Sequence, residues 1–385
     1  NYKWVISSGG TIVSGGTTSD NTVTVVWNTP GNENISINYT NSNGCSAASP
    51  TVFNVTVNSL PAPLLSGPAV ACVGSVGNVY TTDAGKTNYL WTVSSGGTIT
   101  GGGTFSSASA TVQWNTSGAQ WISINYSDAN GCTASSSVVQ NVTVNPLPVP
   151  TITGPDNMCA GMAGNVYTTE AGMTNYIWTV SAGGTITAGG TSTQSTVTVL
   201  WNTAGAQSVS VSYTNSNGCS PSTPTVKSLT VNPQVIPSLS GVSSVCAGST
   251  GKIYTTQSGM SNYVWTVSSG GTITSGGTST SNSVTIDWLT AGTQTVSVQY
   301  TTGSGCISRI TSNNVTVNPL PVPTITGNTT VCAGGVNNYS TEAGMTGYFW
   351  VVTGGTVTAG GSGNTATITW GATGTGTISV GYTNT

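Results

Sequence analysis

The sequence contains 385 residues with a formal net charge of −3, and only 3% of them are charged, against about 25% in ordinary globular proteins. The five basic residues are scattered, which argues against binding to nucleic acid or to an anionic membrane surface, and no apolar run is long enough for membrane insertion. The absence of histidine excludes Ser-His-Asp and Cys-His catalysis, and acidic side chains are too few for a paired-carboxylate site, so we predict that the protein is not an enzyme.

One phrase recurs along the chain with a tryptophan at its end. Its copies are NYKW (1–4), NYLW (88–91), NYIW (175–178), NYVW (262–265) and GYFW (347–350). A second tryptophan follows each copy, so all but one of the eleven tryptophans fall at two positions of a repeating unit. The period of about 87 residues suits a small domain with its own core and exceeds the roughly 20 to 50 residues of solenoid repeats.

The sequence therefore predicts a tandem array of five units, the first and last of them partial. We call them repeats 1 to 5 and place them at 1–58, 59–145, 146–232, 233–318 and 319–385. Proline-rich phrases such as LPAP (60–63) and LPVP (147–150) lie between units, and proline there favours extended, semi-rigid linkers. We expect neighbouring repeats to be the main partners of each unit.

Within a unit, apolar residues alternate with polar ones, which is the period of a β-strand. The NYxW phrase comes first, then segments such as TVTVLW (196–201) and SVSVSY (208–213), and Asn-Gly and Gly-Gly pairs supply hairpin turns between them. No segment has helical spacing. This pattern predicts an all-β chain in which each unit is an immunoglobulin-like β-sandwich of about seven strands.

The tryptophans of the two repeated positions lie on the apolar face of predicted strands, so we assign them to the core rather than to sugar binding. In the three complete units they are Trp91, Trp114, Trp178, Trp201, Trp265 and Trp288. Trp121 is different, because it occurs once, lies on the opposite face of its strand and is replaced by Ser208 in the next unit. It is the candidate for an exposed ligand contact.

The eight cysteines recur with the units, which predicts disulfides and an oxidising, extracellular setting; without histidine or a CxxC pair, a zinc site is not expected. Two pairings are open. In the first, Cys72–Cys132, Cys159–Cys219 and Cys246–Cys306 close within units, and Cys45 and Cys332 pair outside this sequence. In the second, Cys45–Cys72, Cys132–Cys159, Cys219–Cys246 and Cys306–Cys332 join neighbouring units. We favour the first, because the first and last strands of such a sandwich usually lie side by side.

Acidic residues occupy one shared position in three units, as Asp83, Glu170 and Glu342, while Gln257 takes that position in repeat 4. Calcium needs several converging oxygen ligands, and a single replaceable acid does not supply them. We therefore predict no metal site and no cofactor.

Five motifs together resemble a known family: VCAGSTG (245–251), AGMTNYIWTVS (171–181), VTVLWNTAG (197–205), YTNSNGC (213–219) and VTVNPLPVPTITG (142–154). They are similar to the PKD-like, immunoglobulin-like repeats of Bacteroidota surface proteins, and the resemblance extends over essentially the whole chain. It implies a sandwich fold and a place on the outer surface of a bacterium. It also implies a very large adhesin exported by type IX secretion, of the kind that includes gliding-motility adhesins.

Three functions follow from these observations as hypotheses. The first is a stalk of a cell-surface adhesin, in which the repeats extend an adhesive surface from the cell for attachment or gliding. The second is an array that binds extracellular polysaccharide through Trp121 or through its threonine-rich faces. The third is a filament that self-associates through exposed strand edges, which low net charge would permit.

Overall fold

The computed structural model describes residues 1–383, and within them the chain forms strands, turns and loops but no helix. In these residues there is consequently no helix of the length and apolarity needed to cross a membrane. The prediction of an all-β array of immunoglobulin-like domains is confirmed.

The first two repeats contain strands β1 to β12. Repeat 1 comprises β1 (Tyr2–Ile6), β2 (Gly10–Gly15), β3 (Val23–Trp27), β4 (Gly31–Tyr39) and β5 (Thr51–Val57). Repeat 2 comprises β6 (Val70–Cys72), β7 (Asn78–Thr81), β8 (Thr87–Val93), β9 (Gly97–Gly102), β10 (Ser109–Trp114), β11 (Gly118–Ser127) and β12 (Val138–Asn145).

The remaining repeats follow the same order of strands. Repeat 3 comprises β13 (Asn157–Cys159), β14 (Asn165–Thr168), β15 (Thr174–Val180), β16 (Gly184–Gly189), β17 (Thr196–Trp201), β18 (Gly205–Thr214) and β19 (Thr225–Asn232). Repeat 4 comprises β20 (Ser244–Cys246), β21 (Ser249–Thr255), β22 (Ser261–Val267), β23 (Gly271–Gly276), β24 (Ser283–Trp288), β25 (Gly292–Thr301) and β26 (Thr311–Asn318). Repeat 5 comprises β27 (Val336–Ser340), β28 (Thr346–Thr353), β29 (Gly355–Gly360), β30 (Thr365–Trp370) and β31 (Thr377–Thr383).

Each complete repeat is a sandwich of a three-stranded and a four-stranded sheet. In repeat 2 the sheets have the orders β7-β10-β9 and β6-β12-β11-β8, and repeats 3 and 4 repeat this arrangement. Among the described strands, none pairs in a sheet with a strand of another repeat. The three complete repeats are thus separate sandwiches, each with its own core cluster.

Tryptophans from both sheets form the centre of each core. In repeat 2, Trp114 is fully buried, and its indole Nε1 donates a hydrogen bond of 3.2 Å to the hydroxyl of Tyr80, while Nε1 of Trp91 donates to the backbone carbonyl of Ser107 at 2.9 Å. The structure buries all six tryptophans assigned above to the core. Because each indole N–H finds an acceptor, these large side chains are buried without an unpaired donor.

The asparagine of the NYxW phrase has a backbone role. Asn88, Asn175 and Asn262 have φ angles of 53°, 52° and 50°, and Gly347 takes the same place in repeat 5 with φ of 62°. The strand register shifts at this point, so the residue lies in a bulge. Among L-residues asparagine tolerates the left-handed conformation best, which explains why only Asn and Gly occur here in repeats 2 to 5.

Candidate functional site: a disulfide-linked joint between repeats

Two disulfides connect successive repeats. Cys72 of repeat 2 is bonded to Cys219 of repeat 3, and Cys159 of repeat 3 to Cys306 of repeat 4, with Cα–Cα distances of 5.7 and 5.6 Å. Both bonds span 147 residues, so they occupy the same place at two successive joints. They indicate an oxidising environment.

This pairing corrects the sequence-based prediction. The favoured pairs Cys72–Cys132, Cys159–Cys219 and Cys246–Cys306 are not formed, and neither are the alternative pairs Cys45–Cys72, Cys132–Cys159, Cys219–Cys246 and Cys306–Cys332. The first and last strands do lie side by side, but they run parallel.

The parallel direction places the two cysteines of one repeat at opposite ends of the sandwich. Cys72 lies beside Asn145, where β12 ends and the chain leaves the repeat; we call this the exit end. Cys132 precedes β12, whose 8 residues span about 26 Å, and lies at the opposite, entry end. A bond within the repeat is therefore out of reach, whereas the exit end of one repeat adjoins the entry end of the next.

The exit-end cysteine is held on a tight turn. In repeat 2 the backbone N–H of Val73 donates to the carbonyl of Asn145 at 3.0 Å, and that of Gly74 donates to the carbonyl of the core residue Trp114 at 2.7 Å. Gly74 has φ of 76°, which favours glycine and explains the Cys-x-Gly motif. The turn is thereby fastened directly to the core.

The entry-end cysteine is presented by the hairpin of the YTNSNGC motif. In repeat 3 the side-chain Oδ1 of Asn215 accepts hydrogen bonds of 3.0 Å from the backbone N–H groups of both Asn217 and Cys219. Gly218, with φ of 77°, completes the turn. Asp128 makes the same two contacts in repeat 2, so the hairpin has its shape in a repeat whose cysteine is unpaired.

At the entry end, the paired cysteines are buried and the unpaired one is less so. The entry-end cysteines Cys219 and Cys306 are 1% and 0% exposed, whereas the equivalent Cys132, a free thiol in the structure, is half-buried. At the joint between repeats 3 and 4, the exit-end turn also lies close to the linker of the next repeat, because a Cβ at Gly161 would be 3.8 Å from Oε1 of Gln234. The joint thus combines a covalent bond with packing.

The acidic position of each repeat anchors the incoming linker. In repeat 3, Glu170 accepts hydrogen bonds from the backbone N–H of Thr151 at 3.1 Å, from the hydroxyl groups of Thr151 and Thr169 at 2.5 and 2.7 Å, and from the hydroxyl of Tyr213 at 3.1 Å. Thr151 directly follows the LPVP linker. One carboxylate therefore ties the linker to the end of β18.

These contacts shift the ionisation of both partners. Desolvation acts to raise the pKa of Glu170, but the hydrogen bonds from Thr151 and Thr169 outweigh it and lower the pKa to about 2. Desolvation and the bond to the Glu170 carboxylate raise the pKa of Tyr213 to about 12. The carboxylate is thus ionised and the phenol neutral through the whole neutral range.

The same anchor recurs with variations. Asp83 accepts from the N–H of Leu64 at 3.0 Å and from the hydroxyl of Tyr126 at 2.6 Å. In repeat 4 the neutral amide of Gln257 accepts from the N–H of Ser238 at 3.1 Å. Within residues 1–383 no three acidic or cysteine side chains converge as a metal site would require. The sequence suggested only a calcium ligand at this position, and the contact with the linker was not predicted. The nearly constant spacing between the LPxP phrase and the acidic position could have indicated that contact.

Trp121 lies on the outer face of the four-stranded sheet, paired in register with Asn141 on β12. It is 38% exposed, more than any core tryptophan of repeats 2 to 4. The next residue of the strand, Ile122, faces the core and is fully buried. The indole is thus exposed on the sheet surface beside Asn141.

Comparison with solved structures gives matches of low sequence identity and low TM-score. Invasin, a bacterial integrin-binding protein, is 15% identical over 87% of this chain and 73% of its own, with a TM-score of 0.29. FdeC, an Escherichia coli adhesin, is 14% identical over 67% of this chain and 96% of its own, with a TM-score of 0.28. The human desmocollin-1 ectodomain is 9% identical over 100% and 92%, with a TM-score of 0.26. None of these values supports an inference about what this chain binds.

No curated protein matches the sequence. The PKD-like domain family, in contrast, matches it five times in succession, at residues 1–55, 59–142, 145–231, 232–317 and 318–385. Since these matches together cover nearly the whole sequence, this chain belongs to the PKD-like domain family.

Proposed function

We propose that this chain is a stalk region of a large bacterial cell-surface adhesin, in which the repeats hold an adhesive surface away from the cell. The observation that carries the proposal is the joint: the sandwiches of repeats 2, 3 and 4 are connected both by linkers and by disulfides at equivalent positions. A spacer needs neighbours that keep their arrangement, and a joint with two connections provides that. We extend the proposal to an outer-surface protein of Bacteroidota, exported by type IX secretion and used in attachment or gliding.

The composition of the chain supports a spacer. With 3% charged residues, its surface depends little on ionic strength, which suits a protein exposed to external water of varying salt content. The longest strands, such as β18 with 10 residues, span about 33 Å, so each added repeat lengthens the array by at least about that distance.

Electron microscopy of the purified chain tests the stalk role. We expect single rods, and deletion of repeat 3 (146–232) should shorten them by about 33 Å or somewhat more, because one sandwich and one linker are lost. Rods of unchanged length would contradict a spacer. Laterally associated bundles that persist on dilution would instead support a self-assembling filament.

A second candidate function is polysaccharide binding at Trp121, which the exposure of that side chain favours. Aromatic faces stack on sugar rings, and Asn141 lies beside the indole to supply polar contacts. Trp121→Ser reproduces the natural residue of repeat 3, Ser208, and should leave the fold intact while abolishing retardation of the chain in polysaccharide-containing gels. Trp91→Phe, in the core, is the matched control and should leave retardation unchanged. Equal retardation of Trp121→Ser and wild type would exclude this site.

A further inference from the structure

The two disulfides overlap along the sequence. The loop closed by Cys72 and Cys219 contains Cys159, and the loop closed by Cys159 and Cys306 contains Cys219. The two covalent loops therefore share the segment 159–219 of repeat 3. We propose that these bonds form a staggered covalent ladder that bears tension along the array and limits how far its repeats extend when they unfold. The proposal does not depend on what the array displays.

The direction of the connections determines the path that tension takes. A pull on the chain before repeat 2 reaches Cys72 and crosses to Cys219 at the entry end of repeat 3. It then runs back along repeat 3 to Cys159 at the exit end and crosses to Cys306 in repeat 4. Most of repeat 2, from residue 73 onward, and the linker that follows it are therefore bypassed.

At the joint between repeats 3 and 4, the linker and the disulfide are both attached to one hairpin of repeat 4. The linker enters repeat 4 and is held there by the backbone N–H of Arg309, which donates to the carbonyl of Val235 at 2.9 Å, and by its Nε, which donates to Oε1 of Gln234 at 3.1 Å. Arg309 lies three residues after Cys306, so the linker and the disulfide meet the same hairpin. The bypassed linker is thereby held beside the disulfide that carries the load.

The bypass changes the length that unfolding can release. Between Cys72 and Cys306 the backbone has about 234 residues, which extend to about 80 nm, at about 3.5 Å per residue. With both disulfides intact, the shortest covalent path is the segment between Cys159 and Cys219, about 60 residues or 21 nm. With either bond alone, the path is about 87 residues or 30 nm.

Single-molecule force spectroscopy of the whole chain, pulled from its two ends under oxidising conditions, tests the ladder. Each of two double variants, Cys72→Ser/Cys219→Ser and Cys159→Ser/Cys306→Ser, should release about 1.5 times the length that the wild-type chain releases from this segment. The combination of all four substitutions should release about four times that length. Reduction of the wild-type chain should reproduce the fourfold increase, which also covers the case in which a variant folds poorly.

The matched control is Cys132→Ser/Cys246→Ser, which removes two thiols that are unpaired in the structure. It should release the same length as wild type. An increase in this control would show pairing within repeats and overturn the proposal. Release of about 80 nm by the oxidised wild-type chain would overturn it as well. Failure of the stalk proposal would appear differently, as an unchanged rod length after deletion of a repeat.

Discussion

Glu170 fixes the course of the chain as it enters repeat 3. Its carboxylate accepts hydrogen bonds from the linker residue Thr151 and from Tyr213 at the end of β18, so one side chain connects two segments far apart in sequence. Hydrogen bonds to a charged acceptor are stronger than neutral ones, which explains why an acid is used at this position in a chain that contains few.

This carboxylate predicts an acid dependence of repeat 3. Its pKa in the folded state is about 2, below the ordinary value of 4.5, so its stabilisation is present above about pH 4.5 and is lost as the pH falls from 4.5 toward 2. Since the group is only partly buried and is screened by water, we expect a loss of about 1 kcal/mol. Hydrogen exchange of β18 measured between pH 5 and pH 2.5, corrected for intrinsic exchange rates, would detect it.

Glu170→Gln is the matched variant, since Gln257 is the natural residue at this position in repeat 4. This substitution should remove the acid dependence of the stability of repeat 3 and should change that stability little at pH 7. Repeat 4 serves as an internal control and should show no such loss. Equal acid sensitivity of repeats 3 and 4 in the wild-type chain would refute the role assigned to the carboxylate.

The sequence predicts the structural role of some side chains better than that of others. The alternation of apolar residues identifies Trp114 as a core residue, because burial follows strand periodicity directly. The contacts of Glu170 depend on how the linker folds back on its own repeat, which no local pattern encodes. Asn88 lies between these cases: its recurrence is visible, but its left-handed conformation is apparent only in the bulge.

Adjacent strands of the three-stranded sheet carry a pair of aromatic side chains that meet in the core. In repeat 3, Trp201 on β17 and Tyr167 on β14 lie edge to face, with ring centroids 6.4 Å apart, and both are fully buried. The Nε1 of Trp201 also donates to the Tyr167 hydroxyl at 3.1 Å. This contact links packing and hydrogen bonding at the same point of the core.

Trp201→Ala should destabilise repeat 3 by about 3 to 5 kcal/mol, through a cavity and the loss of the hydrogen bond that the Tyr167 hydroxyl accepts from the indole. Thr196→Ala, an exposed position on the same strand, should change stability by less than about 0.5 kcal/mol. Hydrogen exchange of repeats 3 and 4 measures both effects, and repeat 4 should respond little because the repeats have separate cores. Loss of protection in repeat 4 equal to that in repeat 3 would show that the cores are not independent.

Strands differ from one another in how clearly the sequence marks them. β17 and β18 alternate over six or more residues and are evident from period alone. β6 has 3 residues, too few to show a period, and its parallel pairing with β12 depends on a partner about 70 residues away. The direction of this short strand decides which cysteines meet, and for that reason the pairing within repeats was the wrong prediction.

At the scale of the whole molecule, the disulfides add a covalent connection at two joints, between repeats 2 and 3 and between repeats 3 and 4. In the chain-entropy treatment, closing a loop of 147 residues stabilises the folded array by about 5 kcal/mol per bond. The five-unit organisation follows from repetition in the sequence, whereas the connection between units requires the ends of the sandwiches to be known.

Non-reducing peptide mapping by mass spectrometry should recover Cys72 linked to Cys219 and Cys159 linked to Cys306. The reason is that each exit-end turn adjoins the next entry-end hairpin. In a Cys219→Ser variant, Cys72 should become accessible to a thiol-specific label, while the Cys159–Cys306 peptide remains. Recovery of a Cys72–Cys132 peptide from the native chain would contradict the observed topology.

The constant register of the joints has a consequence for inheritance. Because the cysteine at each exit end meets the hairpin cysteine of whichever repeat comes next, excision of one whole unit by recombination between near-identical copies would bring Cys72 opposite Cys306 and leave both paired. Duplication would likewise create one new bond for each new joint. The number of repeats in such genes can therefore vary while every internal cysteine keeps a partner. Selection can then act on the length of the array without a loss of disulfide bonds.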